Sequence, residues 1–211
     1  MRSLVALTGL LFAGMSAAAT LDAQRPQLEI TLPPAGAMQE GPSVATGNLL
    51  ADARTRELLR HGLPTQIHYR LELWRKGWPF DDPTGKVEWD VLVQYDPLAQ
   101  VFNVVRRMGT QLQESFVGTA TVTTAELQFG KAFRVPLSPS RSGRYYYNLA
   151  VDVQTLTESD LDALQEWLRG PTAPGKGNPI DAIRSGVGTL LSRVLGNKDH
   201  YEQKSADFSA P

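Results

Sequence analysis

Between residues 66 and 107 apolar and polar side chains alternate with a period of two in two successive runs. In the run 66–74 the odd positions hold Ile67, Tyr69, Leu71 and Leu73, and the even ones Gln66, His68, Arg70, Glu72 and Trp74. In the run 86–95 Val87, Trp89, Val91, Val93 and Tyr95 alternate with Lys86, Glu88, Asp90, Leu92 and Gln94. Side chains on a strand point to opposite faces in turn, so each run predicts a strand with one apolar and one mostly polar face. Asp96 and Pro97 mark a turn, and residues 101–107 return as a third strand. The expected object is an antiparallel meander with one wet side. A fourth strand, 144–153, sets Tyr145, Tyr147, Leu149, Val151 and Val153 against Arg144, Tyr146, Asn148, Ala150 and Asp152, and is expected to end the sheet.

Weaker signals flank these runs. Leu28, Ile30 and Leu32 alternate with polar residues before Pro33 and Pro34, which predicts a short strand at an edge. Residues 43–50 read weakly as another strand. Asp52 is placed to cap a short helix through Arg60, with Gly62 just past its end and Pro64 beyond. The polar run 108–116, with Gly109, predicts a connection. Residues 117–124 suit a strand, while 123–129 fit a short capped helix equally well, and 132–137 read as a strand closed by Pro136 and Pro139.

Near the C-terminus the period changes from two to that of a helix. Leu161, Leu164, Trp167 and Leu168 share a face behind the N-cap candidates Thr157 and Ser159, so Glu158, Asp160 and Asp162 read as helix-start residues rather than an acid-base pair. Residues 170–179 are a linker by composition. Within 180–196, Ile180, Ile183, Val187, Leu190, Leu191, Val194 and Leu195 recur at helical spacing, predicting an amphipathic helix weakened by Gly186 and Gly188. That helix has three possible seats: the domain itself, a partner's groove, or a membrane surface, for which two Arg on its polar face are few. Residues 197–211 are polar and are expected to be disordered.

The start of the chain adds an address. Met1-Arg2-Ser3, an apolar run from 4 to 12 and the small residues Ala17-Ala18-Ala19 read as a secretory signal peptide over residues 1–19, cleaved before Thr20, with a second candidate site after Ala23. The apolar run is short of the roughly 20 residues a spanning helix needs. A mature chain of about 190 residues fits one domain, expected over 24–169, with a real core. There is no Cys, which removes disulfides, thiol chemistry and cysteine metal sites. With 21 Lys and Arg against 22 Asp and Glu, interspersed, nothing points to nucleic acid.

Catalytic and ligand motifs are scarce. Gly170 to Lys176 matches the spacing of a phosphate loop, but Pro171 and Pro174 lack N–H donors, a helix precedes it, and Gly177 replaces the Ser or Thr that would hold magnesium. His61, His68 and His200 have no ligand spacing. Asp81, Asp82 and Asp96 fall in loops, at what the hairpin order makes opposite ends of the sheet, against a calcium site. The unusual feature is the long hairpin loop from Lys76 to Gly85, which carries Trp78 and Phe80. They read either as anchors for a partner's pocket or a membrane interface, or as a lid folded over the sheet end. The lid is the simpler expectation, since isolated apolar side chains near a surface are common.

Several of these stretches resemble a bacterial exported family, domain of unknown function 4390. The likeness is carried by Glu57-Leu58-Leu59-Arg60-His61-Gly62-Leu63-Pro64, by Leu71-Glu72-Leu73-Trp74-Arg75, by Trp78-Pro79-Phe80, by Val93-Gln94-Tyr95-Asp96-Pro97-Leu98, by Val101-Phe102-Asn103-Val104 and by Glu114-Ser115-Phe116. It covers roughly residues 27–169. The resemblance implies a small periplasmic protein, in some members encoded beside a membrane sensor kinase, and brings no catalytic residues. The region after Phe116, helical in relatives, is Thr- and Val-rich here.

The expected fold is mainly β, an antiparallel sandwich or strongly curved sheet with short edge helices. The expected function is a non-catalytic binding or adaptor module of the cell envelope, without cofactor or metal. Its partner would be an envelope protein, with a membrane sensor as one candidate. The contact residues would be Trp78 and Phe80, then Ile183, Val187, Leu190 and Leu191. The alternative is a carrier of a lipid or other apolar ligand, held between the sheet's aromatic face and the C-terminal helix.

Overall fold

The four strong strands lie side by side in one antiparallel sheet. The computed structural model describes residues 25–117, 121–155 and 198–211. Strands β1 (Gln27–Thr31) and β2 (Ser43–Gly47) are followed by helix α1 (Ala53–Arg60), then by β3 (Thr65–Arg75), β4 (Asp82–Asp96), β5 (Val101–Met108) and β6 (Gln111–Val117). Helix α2 (Val122–Phe129), β7 (Phe133–Arg134), β8 (Gly143–Thr155), β9 (Lys198–Lys204) and β10 (Phe208–Ala210) complete the order. The large sheet runs β10-β8-β3-β4-β5-β6, with β9 pairing the same strand, β8, as β10 does. A small sheet, β1-β2-β7, lies over one face of it, giving a two-layer, mainly β architecture whose large sheet, among the described residues, is open at both edges.

Burial follows the period-two pattern. Ile67, Tyr69, Leu71 and Leu73 of β3 and Trp89, Val91 and Val93 of β4 point into the layer between the sheets, where Val151, Leu149 and Tyr147 of β8 join them. Tyr69 stacks on Trp89 at 4.9 Å, and Phe133 of the small sheet meets the edge of Trp89 at 5.1 Å. Buried hydroxyls have partners: Tyr147 donates to the Leu137 carbonyl at 2.7 Å, and Tyr69 lies 3.3 Å from the Thr46 hydroxyl. Burial pushes the Tyr147 phenol up to about 12, so both tyrosines stay neutral hydrogen-bonding groups at physiological pH. The aromatic face that a carrier would turn toward its ligand is thus filled by the protein's own side chains.

Helix α1 starts and stops as its sequence predicts. Asp52 accepts from the Thr55 N–H at 2.8 Å, and Leu59 is fully buried. Gly62 then turns at φ 85°, a conformation that favours glycine, and delivers the chain into β3. Helix α2 settles the ambiguity around residue 123 in favour of a helix, because Val122, Ala125 and Phe129 together supply an inward face.

Three expectations are overturned. The run 108–116 is not simply a connection: Gln111 to Val117 form β6, which hydrogen-bonds to β5 in register from Met108↔Gln111 to Phe102↔Val117. Strand β8 does not end the sheet, since β9 and β10 lie on its far side. Most of 197–211 is not disordered tail: Lys198 to Lys204 pair with Asn148 to Gln154, and Phe208 to Ala210 pair with Gly143 to Tyr145. The reason is a backbone need, as β8 carries buried side chains along its length and its outer N–H and C=O groups require partners. The sheet therefore reaches beyond the expected domain limit at 169. The predicted helices within 157–168 and 180–196, the linker and the signal peptide lie outside the described residues.

Candidate functional site

The β3–β4 hairpin ends in the loop that carries Trp78 and Phe80. Gly77 is required there, because a Cβ at this position would sit 2.5 Å from the Phe80 carbonyl oxygen. The loop is tied at several points. The Lys76 N–H donates to the Arg144 carbonyl at 2.8 Å, the Gly77 N–H to Asp81 Oδ1 at 3.2 Å, and Arg75 Nη2 to Asp82 Oδ2 at 3.1 Å. Lys76 also sits 3.7 Å from Asp207 and 5.0 Å above the Tyr146 ring, which stacks on Trp74. Burial and the nearby carboxylates of Asp81, Asp207 and Glu72 raise the Tyr146 phenol, keeping it neutral under the ammonium group.

On this tethered base the two aromatics point outward. Trp78 is 95% exposed and Phe80 81% exposed, so the lid expectation fails for both. At this end of the sheet Trp74 stacks on Tyr146, and Tyr145 and Tyr147 stack on Phe208, without the loop rings. The charges around them are mixed: Arg75, Lys76 and Arg144 are met by Asp82, Asp81 and Asp207. The other predicted contacts, Ile183, Val187, Leu190 and Leu191, lie outside the described residues.

A second constellation runs across the outer face of the large sheet. Strand register places Arg107, Asp90, His68, Asp152 and His200 opposite one another on five successive strands, β5-β4-β3-β8-β9. Asp90, only 6% exposed, accepts from His68 Nδ1 at 2.9 Å and from Gln66 Nε2 at 3.1 Å. Asp152 accepts from His200 Nδ1 at 2.7 Å and pairs with Lys198 at 3.1 Å. Burial pushes the Asp152 carboxyl up, but these two partners outweigh it and hold the group below the usual aspartate range. The sequence shows His68, Asp90 and Asp152 as polar-face strand positions and His200 as tail; only the pairing register turns them into a row. Its effect is to fix register and to pair carboxylates that the sheet takes away from water.

The remaining chemistry-bearing residues stay apart. Asp96 accepts from the Leu98 and Ala99 N–H groups in its own turn, at the opposite end of β4 from Asp82. Among the described residues no group of three or more His, Cys, Asp or Glu could hold a metal ion. No described helix is long and apolar enough to cross a membrane. No family model, curated protein or solved structure matches the chain.

Proposed function

We propose that this chain is a non-catalytic binding or adaptor module of the bacterial cell envelope that grips a protein partner through Trp78 and Phe80. The observation that supports this reading is a pair of large aromatic rings held out to solvent on a loop whose backbone and charges are internally tied. Rings of this kind contribute on the order of 2–4 kcal/mol each when a partner buries them. Holding the loop in place beforehand reduces the entropy lost on binding. Carboxylates at Asp81, Asp82 and Asp207 beside every cationic group of the loop favour a protein pocket over an anionic bilayer, which attracts unpaired Lys and Arg.

The test is a Trp78→Ala, Phe80→Ala double variant, isolated beside the wild type from envelope extracts and weighed by native mass spectrometry. A protein companion present on the wild type and absent from a variant with unchanged thermal unfolding supports the reading. Equal companion occupancy on both chains defeats it. So does loss of binding to anionic phosphatidylglycerol vesicles in place of a protein companion, which would make the loop a membrane anchor.

A further inference from the structure

The two edges of the large sheet differ in protection. The β9 edge carries Lys198, Asp199, His200, Glu202 and Lys204 within seven residues, and the edge is interrupted before β10. Charge and interruption are devices that stop an edge from recruiting another strand. Strand β6 is less guarded: it runs unbroken from Gln111 to Val117, contains no Pro, and has Glu114 as its one charge. Residues 111–114 are exposed, Leu112 among them. Among the described residues β6 pairs with β5 alone, so one side of its backbone has no strand beside it.

Directly inside this edge lies a small cleft between β5, β6 and α2, lined by Val104, Arg106, Gln113, Ser115, Gln128 and Phe129. Arg106 is its cation. Its Nη2 donates to the Phe129 carbonyl at 2.7 Å and its guanidinium lies 4.6 Å from the centre of the Phe133 ring. Its Nε makes no hydrogen bond, and no carboxylate among the described residues forms an ion pair with it. Burial lowers the affinity of the group for its proton, the expected result for a cation removed from water without a counter-charge. Gln113 and Ser115 stand opposite Arg106 and Val104, so the inward side chains of β6 border the same cleft.

We propose that the β6 edge takes up an extended peptide segment of a protein partner as an additional strand, with an acidic side chain of that segment directed into the cleft toward Arg106. Main-chain pairing supplies the affinity, and the cleft reads alternate side chains. An added strand lies about 4.8 Å beyond β6, and its inward residues share a face with Gln113 and Ser115. A carboxylate there supplies the counter-charge, and the acceptor for Nε, that no described residue gives Arg106, in a charge-assisted hydrogen bond. This surface is separate from the Trp78 loop, and it stands or falls without it.

The experiment is selection of a displayed library of random linear ten-residue peptides on the full-length protein, followed by titration of the selected peptides and amide hydrogen exchange. The expected winners alternate β-branched or aromatic residues with polar ones, carry a Glu or Asp at an inward position, and slow exchange within residues 111–117. Arg106→Gln should weaken them at least tenfold, and changing the peptide's acid to its amide should do the same on the unaltered protein, which covers the case of a variant that folds poorly. Trp78→Ala should leave their binding unchanged. The proposal is overturned if no peptide is selected, if protection falls on the 76–81 loop, or if the amide peptide binds as well as the acid. It is also overturned if residues 111–117 become protected with protein concentration alone, which would assign the edge to a second copy of the chain.

Discussion

The two ends of the β3–β4 ribbon are built from the same alternating pattern and finish in opposite ways. At one end Thr65 and Val93 are fully buried, with Ile67 and Val91 behind them and α1 leading in through Gly62. At the other the pairing slips between Leu73 and Trp74, and the loop beyond puts Trp78 and Phe80 into water. Folding accounts for the first end, because burying those side chains drives the sheet together. It does not account for the second. Large rings without a buried seat, on a loop that several bonds tie, are the feature on which the proposed partner contact rests.

That contrast can be broken from its buried end most strongly. Trp89→Ala removes the ring on which Tyr69 stacks and which Phe133 meets edge-on, and should cost about 3–5 kcal/mol in denaturant unfolding. A loss no larger than that of the loop variant would erase the distinction between the two ends. Asp90→Ala leaves His68 and Gln66 without their shared acceptor on the outer face, for an expected loss of about 1–3 kcal/mol. Asp90→Asn, which keeps an acceptor, should cost less in the same titration.

A smaller effect is set by pH. The Asp152 carboxyl is held below its ordinary range by Lys198 and His200, so it binds protons less readily folded than unfolded. Its contribution is present above the unfolded aspartate pKa of about 3.9 and fades as pH falls through the lower folded value. Unfolding midpoints measured from pH 6 to pH 2.5 should fall more steeply for the wild type than for Asp152→Asn, and parallel curves would contradict the pairing. The loop double variant belongs at the bottom of the scale, within about 0.5 kcal/mol of wild type.

Four strands of the large sheet could be read directly because burial on one face forces alternation. Ile67, Trp89 and Leu149 are where the pattern puts them. Two of the strands that escaped, β6 and β9, lie at the edges, where exposure relaxes the pattern: Gln111, Gln113 and Glu114 in one, Lys198, Glu202 and Lys204 in the other, read as loop or tail. Their pairing energy is in backbone hydrogen bonds, which any sequence can make. The sequence located the aromatic loop but misjudged its direction, since the rings that stack at that end of the sheet, Tyr146, Tyr145 and Phe208, arrive from far along the chain. The row from Arg107 to His200 was invisible for the same reason, because register is a property of pairs.

The placement of β9 and β10 has a bearing on biosynthesis. During synthesis from the N-terminus, β8 is complete well before residues 198–210 exist, and until they arrive its outer edge has no described strand to pair with and Tyr145 and Tyr147 lack the Phe208 ring that stacks on them. A nascent or truncated chain stopped at that point presents a long strand edge flanked by aromatic side chains, the kind of surface that recruits other strands. Residues 198–210 close that exposure: a chain extended through them has paired the β8 edge that would otherwise invite other strands.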